Sequence, residues 1–403
     1  MATEEAGMED MRPKGVAHST VGETHPALRA PLQGGDLRTR ESDPTPDPLL
    51  GGVDPPQGGD GVGSLPIFNI SGYSGSGKTT LIEKLIPIMT RRGLRVAVIK
   101  HDCHGLSLDR EGKDSDRFFK AGADVVAQGP EQACHRVHAG TDSDLFDILR
   151  KLINRYDIIF VEGHKTTPLP NKIWLRGENE EESPPPETGK LELVLSREAD
   201  RVKVITRFID EWFDGPNGLP PLYAGILIGG NSTRMGCPKH LIEKGNSTWI
   251  ESIVGTVAPL VDTTVILGRG QVPPSLAESP VLPDVPHRRG PVAGMLSAMR
   301  WQPLAAWVFV ACDLPMVTAE AVQWLLGNRK PGVWAILPSR QNEKGAEPLL
   351  AYYDFRARDY LEKVDRPTAM ANSPKAITPA PPENLAASWT NINTPGDTSL
   401  LPD

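Results

Sequence analysis

A glycine-rich segment of the sequence has the residue types that bind nucleotide phosphates. It fits the pattern G-x-x-x-x-G-K-[ST] and lies between a strand pattern and a helix pattern. Glycines let the backbone direct N–H groups at phosphate oxygens, and the N-terminus of the following helix adds partial positive charge. The lysine reaches the outer phosphates in such loops, and the threonine after it ligates Mg²⁺. The predicted phosphate-binding residues are Gly72, Gly75, Gly77, Lys78, Thr79 and Thr80.

Two carboxylates bracket the apolar strand pattern of residues 158–161, with Asp157 before it and Glu162 after it. A carboxylate at such a strand end holds Mg²⁺ through water or orients an attacking water, and Glu162 is the stronger candidate. For both acids the alternative is a solvated strand terminus. Kinases, GTPases and ATPases all carry a phosphate loop, so this part of the sequence does not by itself predict a reaction.

A second segment has the parts needed to hold a nucleoside triphosphate. Gly229 and Gly230 directly follow a strand pattern, and Arg234 and Lys239 come shortly after them. The glycines permit close approach of the backbone to a base, a ribose or a phosphate. The two cations would stabilise charge on the α-phosphate and on the departing pyrophosphate. The alternative is a basic surface loop.

One carboxylate, Asp313, stands at the end of the apolar strand pattern of residues 308–311. Open α/β sheets build their sites at the carboxyl ends of strands. There Asp313 would hold Mg²⁺, which bridges phosphate oxygens and aligns an in-line attack. The alternative is a surface turn before Leu314-Pro315. Arg234, Lys239 and Asp313 are therefore the predicted catalytic residues.

Two successive α/β units are required to position these segments. Predicted strands alternate with predicted helices in each half, which indicates a mostly parallel sheet with helices on both faces. The fold class is α/β, with a P-loop-type sheet domain followed by a Rossmann-like nucleotidyltransferase domain. The predicted strands cover residues 65–70, 95–99, 125–126, 157–161, 223–228, 264–267 and 307–311, and the helices cover 78–92, 115–121, 144–154, 202–213, 249–261 and 294–301.

The predicted domains are 65–214 and 222–403, joined by a Pro- and Gly-rich linker at 215–221. Residues 1–64 lack aromatic side chains and are rich in Pro, Gly and acidic residues. Such a segment buries too little apolar surface to offset its chain entropy, and we predict that it is disordered.

The composition limits the function classes and the cellular compartment. The net charge is −8, which lacks the basic surplus of a general nucleic-acid binder. No apolar run is long enough to cross a membrane, and no secretory signal is visible. The four cysteines are scattered without metal or redox spacing, which favours a reducing, cytoplasmic location. His101, Asp102 and His104 form a cluster that could suggest a metal, but without a further ligand polar loop residues are favoured.

Five short blocks of the first half resemble, in order, the GTP-binding adaptor protein of molybdopterin-guanine dinucleotide synthesis. They are the phosphate loop, residues 98–102, residues 112–116, residues 120–123 and residues 161–163. The resemblance covers about 66–213. It implies a dimeric GTP-binding domain with weak GTPase activity that assists a transferase, with Lys100-His101 and Lys113-Asp114 near the nucleotide.

The second half resembles the molybdenum cofactor guanylyltransferase family over about 221–397. The two segments described above carry the resemblance, together with residues 281–284, 290–296, 347–350 and 391–397. It implies nucleotide contacts at Leu227, Ile228, Gly229, Gly230, Lys239, Asp284 and Asp313, with Asp284 recognising the guanosine.

Two departures from that family concern the base or ribose pocket. The family usually has Ala where Ile228 stands, and the larger side chain is expected to crowd the pocket. An Asn often found after the second strand is replaced by Leu267-Gly268-Arg269.

The chain is thus predicted to be a fusion that transfers GMP from GTP to Mo-bound molybdopterin, with Mg²⁺ as cofactor. Its expected partners are GTP and molybdopterin, with molybdoenzymes or their chaperones as acceptors of the product. The alternatives are a cytidylyl- or sugar-phosphate nucleotidyltransferase and a non-catalytic delivery module. The retained Lys239 and Asp313 disfavour the second of these.

Overall fold

The computed structural model describes residues 65–102, 109–138, 144–178, 183–216, 218–229, 237–339 and 345–400. The predicted disordered arm, residues 1–64, lies outside these ranges, as do Gly230 and Arg234. The described residues build two lobes, which we call the first lobe (residues 65–214) and the second lobe (residues 222–400). The domain boundaries stay a prediction.

The first lobe is built on a five-stranded parallel sheet with the strand order β2-β5-β1-β6-β7. This confirms the predicted parallel α/β architecture. Successive residues of a strand face opposite sides of the sheet, so Phe68 packs with α1 and α4 while Ile67 packs with α3. The elements are β1 Ile67–Ser71, α1 Lys78–Arg91, β2 Val96–Lys100, α2 Asp114–Lys120, β3 Val125–Gln128, β4 Ala133–Arg136, α3 Leu145–Ile153, β5 Ile158–Glu162, β6 Lys172–Leu175, β7 Leu193–Leu195 and α4 Arg201–Asp214.

The strand predicted at residues 125–126 exists, but the prediction that it joins the parallel sheet is wrong. It is β3, which pairs antiparallel with β4 in a separate two-stranded sheet. The two strands are connected by a short turn in which the Gly129 N–H donates to Gln132 O at 2.8 Å. Val126 is 69% exposed, so this hairpin lacks the apolar face that a central strand would bury.

The sequence prediction missed β6, a strand of four residues that begins with a lysine. Lys172 is only 1% exposed, yet its ammonium group is fully bonded. It donates to the backbone oxygens of Lys165, Thr167 and Thr188 at 3.0, 2.6 and 2.8 Å. A buried cation is tolerated when hydrogen bonds replace its water, and here it fixes the loop that follows β5.

The second lobe is built on a seven-stranded mixed sheet with the order β12-β11-β8-β13-β15-β14-β16. Strand β15 runs antiparallel to its neighbours, whereas the other pairs are parallel. Helix α6 packs on one face of the sheet, and α5 and α7 pack on the other. The elements are β8 Leu222–Leu227, β9 Glu243–Lys244, β10 Ser247–Thr248, α5 Trp249–Val257, β11 Thr263–Leu267, β12 Val281–Leu282, α6 Pro291–Trp301, β13 Ala306–Ala311, α7 Ala319–Gly327, β14 Ala335–Ile336, β15 Ala351–Tyr353, α8 Arg358–Leu361 and β16 Ala376–Ile377.

Helix α5 is shorter than predicted. It begins with a capping box, in which Thr248 and Glu251 bond each other's backbone N–H groups. It ends at Val257, and a 3₁₀ turn that contains Pro259 continues to Leu260. Within the described residues, none of the helices has the length and apolar character that a membrane crossing requires.

Candidate functional site

A cavity of about 340 Å³ opens at the carboxyl ends of the parallel strands of the second lobe. Its lining includes five of the residues for which nucleotide contacts were predicted. The other lining residues come from strand ends, from the start of α6 and from residue 349. The five are Leu227, Gly229, Lys239, Asp284 and Asp313. The predicted contacts themselves stay a proposal, and Gly230 and Arg234 lie outside the described residues.

Sheet register places the two essential segments side by side. Strands β8 and β13 are parallel neighbours, and Leu227 pairs with Ala311 at their carboxyl ends. Gly229 and Asp313 therefore emerge at the same edge, although they are far apart in the sequence. Gly290 and Pro291, at the start of α6, also line the cavity.

Lys239 is positioned between two oxygen groups. Its Nζ lies 3.6 Å from Asp313 Oδ2 and donates to Asn393 Oδ1 at 2.7 Å. Asn393 is held in turn, because Asp397 Oδ2 accepts its backbone N–H at 2.9 Å. The sequence prediction assigned no role to Asn393, although it lies in the block 391–397 that carried part of the resemblance. Only the fold shows that this block returns to the edge of the sheet where the cavity lies. There the Ile392 N–H donates to Asp313 O at 2.9 Å.

The two acids of the cavity differ in their nearest cation. Burial raises the pKa of Asp313, and the neighbouring Lys239 opposes that shift. Burial also raises the pKa of Asp284, and there the opposing charge is that of Arg269. The side chain of Asp313 is 26% exposed and Asp284 is exposed, so both carboxylates are open to a ligand that enters the cavity.

The glycine-rich segment of the first lobe forms a loop between β1 and α1. Gly75 and Gly77 have φ angles of 76° and 85°, in the left-handed region that glycine adopts without strain. Lys78 Nζ curls back over the loop and donates to the backbone oxygens of Gly72 and Tyr73 at 3.1 and 2.7 Å. The loop thus already surrounds the lysine ammonium group.

Glu162 lies directly beside the threonine of this loop. Its strand, β5, is the neighbour of β1, and Thr79 Oγ1 donates to Glu162 Oε1 at 2.8 Å. The alternative of a solvated strand terminus does not hold for Glu162, because the residue is only 8% exposed. A hydroxyl and a carboxylate in contact at the carboxyl edge are the oxygen donors that a Mg²⁺-phosphate complex uses.

Asp157 has no part in that arrangement, and both readings of it from the sequence are wrong. It precedes β5 and so lies at the opposite edge of the sheet from the phosphate loop. It is 3% exposed and accepts hydrogen bonds from Trp334 Nε1, Lys375 Nζ and the Arg95 N–H at 2.6, 2.6 and 2.7 Å. It is neither a solvated terminus nor a metal ligand but a contact between the two lobes.

A second lysine lies near the phosphate loop and was missed by the sequence prediction. Lys165 follows β5, and its Nζ lies 4.7 Å from the centre of the Tyr73 ring. The pKa of Lys78 is lowered mainly by burial; Glu162 opposes this shift, and Lys165 adds to it. Two lysines, Lys78 and Lys165, therefore lie beside the phosphate loop. The motif Val161-Glu-Gly163 could have indicated Lys165 only through its proximity in the chain.

Comparison with known proteins assigns both lobes. The family profile "Molybdopterin guanine dinucleotide synthesis protein B" matches residues 67–196, and the profile "MobA-like NTP transferase domain" matches residues 224–374. The molybdopterin-guanine dinucleotide biosynthesis adapter protein of Haemophilus influenzae is 36% identical over 161 residues, which are 37% of this chain and 89% of that protein. A probable molybdenum cofactor guanylyltransferase of Bacillus cereus is 33% identical over 145 residues, which are 34% of this chain and 72% of that protein.

The chain belongs to both families, as a fusion of adapter protein and guanylyltransferase. Among solved structures, molybdopterin-guanine dinucleotide biosynthesis protein A from Archaeoglobus fulgidus is 26% identical with a TM-score of 0.37, covering 44% of this chain and 95% of that one. Because of its membership in the two families, we call the first lobe the adapter lobe and the second the transferase lobe. The predicted fusion and its α/β fold class are confirmed.

Ile228, the first departure of the transferase lobe from its family, does not crowd the cavity. Its side chain is 5% exposed and belongs to the core between the sheet and helices α5 and α7. Leu227 and Gly229 line the cavity, whereas Ile228 is absent from its lining. This agrees with the alternation of side chains along an extended chain. A backbone contact between Ile228 and a nucleotide stays a prediction.

We expect Ile228→Ala to change stability rather than base choice. Removing a buried Ile side chain leaves a cavity and costs about 2 kcal/mol or more. The thermal unfolding midpoint should therefore fall, while the ratio of kcat/KM for GTP and CTP should stay as in the parent. A changed ratio without a stability loss would contradict the placement of Ile228 in the core.

The second departure of the transferase lobe brings a new charge to the pocket. Gly268 has a φ angle of 117°, and a Cβ added there would lie 3.2 Å from the backbone nitrogen of Gly229. Glycine at this position fits the close approach of the two loops. Arg269, which follows it, acts on the carboxylate of Asp284. The position of the usual Asn is therefore occupied by a tight turn and a cation.

Proposed function

We propose that the transferase lobe transfers GMP from GTP to Mo-bound molybdopterin, with pyrophosphate as the second product. The observation that carries this proposal is the convergence of Lys239, Asp284 and Asp313 on one cavity in a lobe that belongs to the guanylyltransferase family. Two acids and a lysine at the carboxyl edge of a parallel sheet suit a ligand that combines a base, a ribose and a triphosphate.

The reaction requires no side chain as nucleophile. An oxygen of the terminal phosphate of molybdopterin forms a bond to the α-phosphorus of GTP. The bond from that phosphorus to the bridging oxygen of the β-phosphate breaks, and pyrophosphate leaves with the electron pair. Lys239 would neutralise charge on the triphosphate, while Asn393 holds the lysine in place. Catalysis then consists of positioning and charge stabilisation.

The residues of the cavity fit Mg²⁺ bound together with phosphates. Within the described ranges there is no group of three or more His, Cys, Asp or Glu side chains placed to form a metal cage. Mg²⁺ commonly uses one or two carboxylates plus substrate phosphates instead, and Asp313 supplies one carboxylate. When bound, the ion would stabilise the charge of the leaving group. In the adapter lobe, Thr79 and Glu162 are the corresponding oxygen donors.

For the adapter lobe we propose GTP binding and weak GTP hydrolysis at the phosphate loop. Lys78 and Lys165 would contact the outer phosphates, and a helix N-terminus faces the same anion. The proposal extends to a homodimer through this lobe, to a cytoplasmic location, and to molybdoenzymes or their chaperones as acceptors of the finished cofactor. Family membership and the loop geometry support these points.

Base choice tests the proposed substrate. Purified protein is incubated with Mo-bound molybdopterin, Mg²⁺ and each nucleoside triphosphate in turn, and the dinucleotide is identified by mass. We expect GTP to be preferred over CTP by about 10²-fold or more in kcat/KM, because a site that hydrogen-bonds a base edge rejects a base that leaves its polar groups unpaired. Preference for CTP would favour a cytidylyltransferase, and absence of any dinucleotide would favour a delivery module.

A further inference from the structure

The two lobes meet through the edges at which their parallel strands begin. The described residues of both lobes belong to the same compact unit. From the adapter lobe the contact uses Asp157, which precedes β5, and the residues 93–95, which precede β2. The phosphate loop follows β1 and lies at the other edge of that sheet.

The transferase lobe uses the matching edge of its own sheet. Trp334 precedes β14 and Lys375 precedes β16, and these two strands run parallel to each other. Residues 354–356 follow β15, which runs antiparallel to β13, so that Tyr353 pairs with Trp307 near the start of β13. Asp313 follows the other end of β13. All the contact residues therefore lie at the edge away from the cavity.

The contact is centred on a buried ion pair. Lys375 Nζ donates to Asp157 Oδ2 and to the Gly93 backbone oxygen, both at 2.6 Å. The side chains of Asp157 and Lys375 are only 3% and 11% exposed. Trp334 Nε1 and the Arg95 N–H complete the hydrogen bonds of the carboxylate. Because both side chains are largely removed from water, removing one of them leaves the charge of the other largely uncompensated.

Apolar and polar contacts surround this pair. Phe355 is 4% exposed and belongs to the same core cluster as Ile67, Leu149 and Ile159 of the adapter lobe. Arg356 Nε donates to the Tyr156 backbone oxygen at 3.0 Å. A cavity of about 440 Å³, lined by both lobes and by linker residues 218–221, lies beside the contact. It is larger than the transferase cavity, but it lies at the edge opposite both nucleotide sites.

We propose that this contact is a docking interface that holds the lobes together without the covalent linker, and that it keeps the two nucleotide sites at opposite ends of the docked pair. Each site then binds its own nucleotide, and no described residue of the adapter lobe lines the transferase cavity of the same chain. An acceptor enzyme could approach the phosphate-loop edge while the transferase cavity stays open to its substrates. The docking itself does not depend on the proposed function.

The test separates the lobes covalently. A protease recognition sequence is inserted after Pro216 in the full chain, the purified protein is cleaved, and the association of the two fragments is measured by size exclusion and by titration. We expect the parent fragments to co-elute at low micromolar concentration. In Lys375→Met, which leaves Asp157 buried without its cation, we expect the dissociation constant to rise by about 100-fold. Fragments of the parent that separate would overturn the proposal.

Two further variants keep the result interpretable. Lys363→Met changes an exposed lysine of the same lobe and should leave the dissociation constant unchanged. Adding Asp157→Asn to Lys375→Met removes the uncompensated charge, so these fragments should associate more tightly than those of Lys375→Met alone. The double variant also serves if Lys375→Met fails to fold, since weaker association than in the parent is still expected. Association of the Lys375→Met fragments as tight as that of Lys363→Met would contradict the role of the ion pair.

Discussion

Replacing Asp313 by Asn is expected to lower the rate of dinucleotide formation on the order of 10²–10³-fold, because losing one preorganised electrostatic contact at the reacting phosphate has an effect of that size. The amide keeps the shape of the side chain but loses the negative charge proposed to hold Mg²⁺ at the leaving pyrophosphate. It also removes the negative charge that lies 3.6 Å from Lys239 Nζ, so the lysine loses the attraction of that carboxylate.

The measurement is dinucleotide formation by purified protein with saturating GTP, Mg²⁺ and molybdopterin. Asp365→Asn is the matched control, because this acid of the same lobe has a side chain that is 98% exposed. It should leave the rate unchanged within error, as surface substitutions usually do. An Asp313→Asn protein with the melting temperature and transfer rate of the control would show that Asp313 is not part of the machinery.

Lys78→Ala is expected to act on the other lobe alone. It removes the cation that the phosphate loop surrounds, so GTP hydrolysis in the adapter lobe should fall on the order of 10²–10³-fold. Transfer from saturating GTP to free molybdopterin should persist, because Lys239, Asp284 and Asp313 are unchanged and lie at the far edge of the docked pair. A defect should appear only when the cofactor must be delivered to an acceptor enzyme.

The two activities are followed in the same preparations. Hydrolysis is measured without molybdopterin and in the Asp313→Asn background, so that the transferase cavity contributes nothing to phosphate release. Lys84→Ala is a suitable control, since Lys84 is an exposed lysine on the same helix α1. If Lys78→Ala remained folded and abolished transfer as completely as Asp313→Asn, the two lobes would have to form one coupled site. The docking arrangement proposed above would then be wrong.

The segments predicted to contact phosphates are local in the sequence, and that is why they could be recognised from it. A phosphate loop needs its glycines, lysine and threonine within a few residues, and the strand and helix around it follow from short apolar patterns. Asp313 was predicted in the same way, from one apolar strand that ends in a carboxylate. The family resemblance extended these local predictions to Asp284, and the structure places Asp284 and Asp313 on one cavity.

Other features depended on strand order, which short-range patterns do not determine. Asn393 reaches Lys239, 154 positions earlier in the sequence, only because the chain returns to the edge of the sheet where the cavity lies. The burial of Lys172 was not predicted, because its three carbonyl partners come from segments that only the fold brings together. The strand at residues 125–126 was assigned to the wrong sheet, since two valines predict a strand but not its partner.

The sequence by itself determined the fold class and the order of the two families along the chain, and it predicted which segments bind phosphate. Tertiary structure alone decided where those segments face. Asp157 and Glu162 bracket the same strand, yet one is buried against Lys375 and the other touches Thr79. The physical reason is that a strand has two ends at opposite edges of its sheet, and the partner available at each edge is set by chain segments distant in sequence.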